Sequence, residues 1–156
     1  MRIQVVSVSS RQPDWVQAGF EHYAKRVSNG YSLELRELPL ARRSASTPPG
    51  KAVEQEGERL LAACAKGAHI IALDERGSSW STNDLAERLN HWAARGSPLA
   101  VLLGGPDGLS ERCLEASQER WSLSALTLPH GLVRIVVAEA LYRALSVQRG
   151  HPYHRA

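Results

Sequence analysis

The sequence predicts an α/β fold, with a mostly parallel sheet and helices on both of its faces. Three observations carry the prediction. Apolar runs of strand length alternate with segments of helical periodicity along the chain. Two of those runs, Ala68–Leu73 (AHIIAL) and Leu99–Leu103 (LAVLL), are almost continuously apolar, as strands covered on both faces are. The 156 residues, 43% of them hydrophobic and 22% charged, suit a single domain over 1–156 with a core of normal size.

The elements follow in order. Ile3–Val8 (IQVVSV) reads as the first strand. Trp15, Gly19, Tyr23 and Val27 recur at three- to four-residue spacing and predict a helix opened by Pro13, whose missing N–H is harmless there. Tyr31–Leu38 alternates, with Tyr31, Leu33 and Leu35 on one face and Ser32, Glu34 and Arg36 on the other. That is a half-buried strand near an edge. Ala41–Gly50 (ARRSASTPPG) has loop composition and carries Arg42 and Arg43; it is either a mobile rim of a site or a solvated loop. Val53, Gly57, Leu60 or Leu61, and Cys64 mark a second helix behind Pro49. Ala68–Leu73 is the third strand. Ser81–Asp84 has the form of a capping box with Asp in place of the usual Glu, and it opens a third helix through Leu85, Leu89 and Trp92. Gly67 and Gly96 follow helix ends, where a left-handed residue is wanted. Leu99–Leu103 is the fourth strand, Leu123–Leu128 (LSALTL) the fifth, and Leu132–Arg149 the last helix.

Composition excludes several classes. The net charge is +3, compatible with a polyanionic partner but not diagnostic of one. Cys64 and Cys113 are far apart and in no C-x-x-C pattern, so neither a disulfide framework nor a zinc site is expected, and a reducing cytoplasmic setting fits. Met1–Ser10 lacks the apolar core and cleavage site of a signal peptide. The longest apolar stretch, Leu132–Val147, contains Arg134, Glu139 and Arg143 and is too short and too charged to span a bilayer.

Four features could carry chemistry. In parallel sheets ligands bind beyond the carboxyl ends of the strands, which directs attention to the loops after Leu73, Leu103 and Leu128. Leu103-Gly-Gly-Pro-Asp-Gly-Leu109 lies in one of them. Its glycines let backbone approach a ligand, yet they match neither the dinucleotide fingerprint nor the phosphate-binding P-loop. Trp121-Ser-Leu-Ser-Ala-Leu-Thr-Leu-Pro-His130 is uncharged and mixes hydroxyl with apolar groups, which suits a neutral flat group such as adenine or simply a buried strand. Gly150-His-Pro-Tyr-His-Arg-Ala156 packs imidazoles, a phenol and a guanidinium into a few residues able to bind phosphate, stack on a base and manage a proton. His-x-x-His there suggests no third ligand, so no metal is expected. His22, His69, His91 and His130 read as ordinary core or surface residues. The last helix is apolar nearly all round, and a second subunit is its natural cover; Glu139 and Arg143 are spaced as an i, i+4 pair.

Taken together, the Leu103–Leu109, Trp121–His130 and His151–Arg155 motifs, in this order and spacing, resemble the RlmH family over the whole chain. Its members are methyltransferases of the SPOUT superfamily acting on N3 of a pseudouridine in 23S ribosomal RNA. The resemblance implies a trefoil knot in the C-terminal half, against the usual rarity of knots. It implies S-adenosylmethionine as methyl donor, held at Leu73, Gly104 and the run Leu123, Ser124, Ala125, Leu126, Thr127 and Leu128, with no metal. It implies a homodimer, with the C-terminal cluster holding the target nucleotide across the dimer interface.

The chemistry then assigns roles. Aligning N3 with the donor methyl group supplies much of the rate, and the N3 proton must be accepted while the resulting anion is stabilised. Arg155 is expected as the cationic anchor, His154 as proton acceptor, and Tyr153 as a contact to base or ribose. So small a surplus of cations points to an assembled ribosomal particle as the substrate rather than naked RNA. A catalytically silent RNA-binding protein on the same scaffold, and an unrelated nucleotide-binding α/β enzyme, are the alternatives.

Overall fold

A computed structural model describes residues 1–154, with the side chain of His154 excepted; Arg155 and Ala156 lie outside the described residues. The chain runs β1 (Arg2–Val8), α1 (Asp14–Ala24), β2 (Ser32–Leu38), α2 (Pro49–Ala63), β3 (His69–Ser79), α3 (Thr82–Ala94), β4 (Leu99–Leu103), α4 (Glu111–Ala116), β5 (Glu119–Ser122) and α5 (His130–Gln148), then a short 3-10 turn, Pro152–His154. The five strands form one sheet in the order β2-β1-β4-β3-β5. Every pairing is parallel.

Strand alternation decides which helices go where. Ile3 and Val5 of β1 and Leu99, Val101 and Leu103 of β4 point to one face, where Phe20 of α1, Leu89 and Trp92 of α3, and Val137, Leu141 and Leu145 of α5 pack on them. Val6, Val8 and Leu102 point to the other face, against Leu60 of α2 and Cys113 of α4. Both faces are therefore covered, which is why β1 and β4 are apolar almost throughout. β2 is an edge strand, and its alternation is that of a half-covered one. Ser81 and Asp84 form the expected capping box.

The fifth strand is a correction. β5 is Glu119–Ser122, and Leu123–Leu128 leaves the sheet as a loop. Trp121 is the residue that fills the core, stacked on Trp80 with ring centroids 5.3 Å apart. Of the apolar residues beyond it, Leu123, Leu126 and Leu128 line a cavity, with Leu123 also packed on the edge of the core. β3 also runs past Leu73 to Ser79, with a register shift against β5 between Leu73 and Ser78.

The last helix needs a partial correction as well. Val137 and Leu141 are fully buried inside the chain itself, between α1, α3 and the sheet. What α5 leaves uncovered is smaller: Leu132 is 38% exposed, and nearby on α1 Trp15 is 58% exposed. The two helices meet closely, since a Cβ on Gly19 would lie 2.7 Å from Ile135 Cδ1.

Candidate functional site

A cavity of about 620 Å³ opens at the carboxyl end of the sheet, a size that accommodates a nucleoside-sized ligand. Three segments wall it: Leu73–Arg76 in β3, Leu103–Leu109 after β4, and Trp121–Leu128 after and within β5. His130 and Val133 of α5 complete it. Of the residues expected to hold a donor, Leu73, Gly104, Leu123, Ser124, Leu126, Thr127 and Leu128 all line this cavity, while Ala125 points away and is exposed.

The wall is built largely of main chain. Ser124 turns the last loop on itself, its hydroxyl accepting from the Leu126 N–H at 2.9 Å. Among the described residues, Ala125, Thr127 and Leu128 form no main-chain hydrogen bond to the rest of the protein, so their peptide groups are open to a ligand. Gly104 lines the cavity and also packs against the protein's own turn. A Cβ there would lie 2.5 Å from the Gly108 carbonyl carbon and 2.7 Å from the Leu109 nitrogen. The space beside Gly104 is taken by the protein's own turn, closed by the Gly108 N–H to Gly105 carbonyl bond at 3.0 Å.

Charged groups that sequence reasoning passed over stand at the rim. Asp74 follows Leu73 and accepts from Arg76 at 3.0–3.2 Å through main chain and guanidinium. Burial pushes its carboxyl up, but the Arg76 hydrogen bonds outweigh this and leave it below the ordinary carboxylate range. The available signal was a charged residue at the carboxyl end of an apolar strand. His130 was also set aside. Its Nε2 lies 2.9 Å from the Val8 carbonyl and 3.4 Å from Ser7 Oγ. A carbonyl only accepts, so Nε2 carries the hydrogen and fixes the ring's tautomer when neutral. Behind it, the buried guanidinium of Arg134 pairs with Glu37 and donates to Ser9 Oγ at 2.9 Å, joining α5 to the carboxyl ends of β1 and β2.

The tail lies elsewhere. Tyr153 packs on α5, its ring 4.7 Å from that of Tyr142 and its hydroxyl donating to Glu139 at 3.2 Å. The Arg143 guanidinium sits 4.9 Å over the Tyr153 ring and donates to Glu139 at 2.7 Å. Burial first, then the neighbouring Tyr23 and Glu139, push the Tyr153 phenol up to about 12. The His151 N–H continues the helix bonding to the Ser146 carbonyl at 2.9 Å. This end is docked, not frayed. His151, Pro152 and Tyr153 do not line the cavity of their own chain. His154 has its backbone in the 3-10 turn, its side chain lies outside the described residues, and so does Arg155. Among the described residues no group of His, Cys, Asp and Glu is placed to hold a metal, and no helix is long and apolar enough to cross a membrane.

Known proteins share this architecture. A probable methylase family protein from Haemophilus influenzae superposes with a TM-score of 0.57 at 13% identity, over 97% of this chain and 69% of that one. A candidate RNA methyltransferase from Bacillus anthracis gives 0.51 at 12% identity, over 91% and 93% of the two chains. A candidate methylase family protein from Neisseria gonorrhoeae gives 0.50 at 16% identity, over 90% and 81%. At such identities the likeness concerns the fold. The sequence itself matches the family model "Predicted SPOUT methyltransferase" over residues 1–154, nearly its whole length, and the chain belongs to the SPOUT methyltransferase family.

Proposed function

We propose that the protein transfers a methyl group from S-adenosylmethionine to N3 of a pseudouridine in 23S ribosomal RNA, on the assembled ribosome and in the cytoplasm. The observation that carries the donor assignment is the cavity at the carboxyl end of the sheet. Its chemistry fits that group in parts. Open peptide groups at Thr127 and Leu128, between Leu73, Leu123 and Val133, suit a flat neutral base. Asp74, ionised and paired with Arg76, sets charged groups of both signs beside the donor's place. When bound, the donor supplies a methyl group already activated on a sulfonium. The substrate class is supported by the motif resemblance and by the B. anthracis neighbour, itself a candidate RNA methyltransferase.

The chain's own residues would do the rest. The three wall segments orient the donor and exclude water from its reactive end. Tyr153 is assigned to contact base or ribose through its phenol oxygen, which can accept while its hydrogen goes to Glu139. Arg155 is assigned to stabilise the anionic base, and His154 to accept its N3 proton. Since His151–Tyr153 lie off their own chain's cavity, a second copy is proposed to bring its tail to it. The exposed Trp15 and Leu132 offer apolar area for that homodimer. A trefoil knot in the C-terminal half belongs to the same proposal.

The test is single-turnover methyl transfer to free 23S RNA, isolated subunits and 70S ribosomes, beside donor titration of the same preparations. Deleting His151–Ala156 should leave most donor affinity and remove transfer. Donor binding without transfer to any of these substrates would favour a silent RNA-binding protein. A truncated protein with full activity would sink the tail assignment.

A further inference from the structure

The Gly104–Leu109 wall is held from outside by an ionic junction that the proposed chemistry does not use. Glu56 of α2 is 1% exposed. A carboxylate so placed needs full compensation, and it has it. Its Oε2 accepts from Arg43 Nη1 at 2.8 Å and from the Ala41 N–H at 3.0 Å, and its Oε1 accepts from Arg43 Nη2 at 3.0 Å. The Arg43 fork is thus bidentate. Nη1 also donates to the Ala41 carbonyl at 3.2 Å, and Nε reaches Asp107 Oδ2 at 3.1 Å. Asp107 belongs to the cavity wall. The wall also runs close beside the carboxylate, since a Cβ added to Gly105 would lie 3.1 Å from Glu56 Oε1.

We propose that Arg43 and Glu56 are positioning residues of the donor site, fixing the Gly104–Leu109 wall through Asp107 and Gly105. The assignment rests on the donor-site reading above. An exposed Arg–Asp pair alone would fix little, and the Asp107 side chain is 57% exposed. What makes this one rigid is that the guanidinium is already oriented by a buried carboxylate on a core helix. Two forked donors and Nε act at once in one plane, which an ammonium cannot reproduce. The segment around Arg43, which composition leaves as rim or solvated loop, thereby becomes part of the frame of the cavity.

The full-length chain provides the test, through amide hydrogen exchange without ligand and calorimetric titration with S-adenosylmethionine. Arg43→Lys keeps the charge beside Glu56 and loses the fork. It should speed exchange at Gly105–Leu109 while the β1 and β4 amides stay as in the wild type. It should weaken donor binding roughly tenfold or more, the scale on which outer-shell partners act at metal sites. Asp107→Asn, on an exposed side chain, should act in the same direction and more weakly, and the double variant should be no worse than Arg43→Lys alone. A purely structural role in pinning the Ala41–Gly50 loop predicts faster exchange within that loop only. That outcome, or unchanged exchange at Gly105–Leu109, overturns the proposal. Failure of the wild type to bind the donor defeats the donor reading instead, and the exchange data still decide the junction.

Discussion

Replacing Gly104 with alanine adds one methyl group where the turn has no room. The new carbon would stand 2.5 Å from the Gly108 carbonyl carbon, 2.7 Å from its oxygen and 2.7 Å from the Leu109 nitrogen. Ordinary contact is about 3.5–4.0 Å, so the Gly105–Leu109 turn must retreat by roughly 1 Å. All three obstructing atoms are backbone, and no side chain can swing aside. Overpacking of this kind costs about 1–3 kcal/mol, which for a chain of this size is a fall in melting temperature of roughly 3–10 °C. The turn is also a cavity wall, and a displacement near 1 Å can cost about 100-fold in a positioned reaction. Donor affinity should fall at least about tenfold. Gly50→Ala is the matched control: nothing lies within 4 Å of its Cβ, it sits in the first turn of α2, and it should be neutral or stabilising by up to about 1 kcal/mol. Thermal melts and calorimetric titration of the two variants decide. Wild-type melting and wild-type affinity in Gly104→Ala would refute the steric account of this glycine.

Further outcomes follow from other parts of the molecule. Burial pushes the Cys64 thiol up to about 11 and raises that of Cys113; both should react slowly with a disulfide reagent at pH 8 and promptly after denaturation. The Tyr153 phenol is raised from 10.0 to about 12, so its stabilising effect is complete below pH 10 and lost as pH rises through 12. Alkaline melts of the wild type should therefore fall more steeply across that window than those of Tyr153→Phe, and parallel curves would contradict the docking of the tail. For the proposed homodimer, Trp15→Ser with Leu132→Gln should shift sedimentation towards monomer with the fold intact, and a wild type that sediments as monomer at micromolar concentration would refute it. Val137 and Leu141 are unsuited to that test because they are core residues of one chain.

How much could be read in advance depended on where a residue's partners lie. Leu99–Leu103 was recognisable because both its faces are buried, so every side chain reports the same environment. The cap at Ser81 was recognisable because its partner Asp84 is three residues away. Leu123–Leu128 misled because alternation shows that apolar groups share a side, not what they face. Here the three leucines line a cavity, and the buried core position went to Trp121. The extension of β3 depended on a distant partner: Gly77 lies so close to β5 that a Cβ would be 2.6 Å from the Arg120 carbonyl carbon. Within the site, the loops were legible from their place after apolar strands. The junction at Glu56 was not, because Arg43, Glu56 and Asp107 share no local pattern and meet only after the chain has folded.

The place of β4 between β1 and β3 bears on how the chain can be made. Ile3 pairs with Leu99, and His69 pairs with the same residue from the other side. Until Leu99–Leu103 has been synthesised, β1 can join only β2, and β3 has no neighbour on its inner side. At about 5–20 residues per second, the growing chain carries the apolar edge of Ile3–Val8 uncovered for roughly 5–20 s. Such edges are where nascent chains associate wrongly. A fragment ending before Leu99 should be captured by holdase chaperones or aggregate, whereas the finished chain closes its sheet by inserting a late strand into the middle. Its birth on a ribosome is thus the period of its greatest vulnerability.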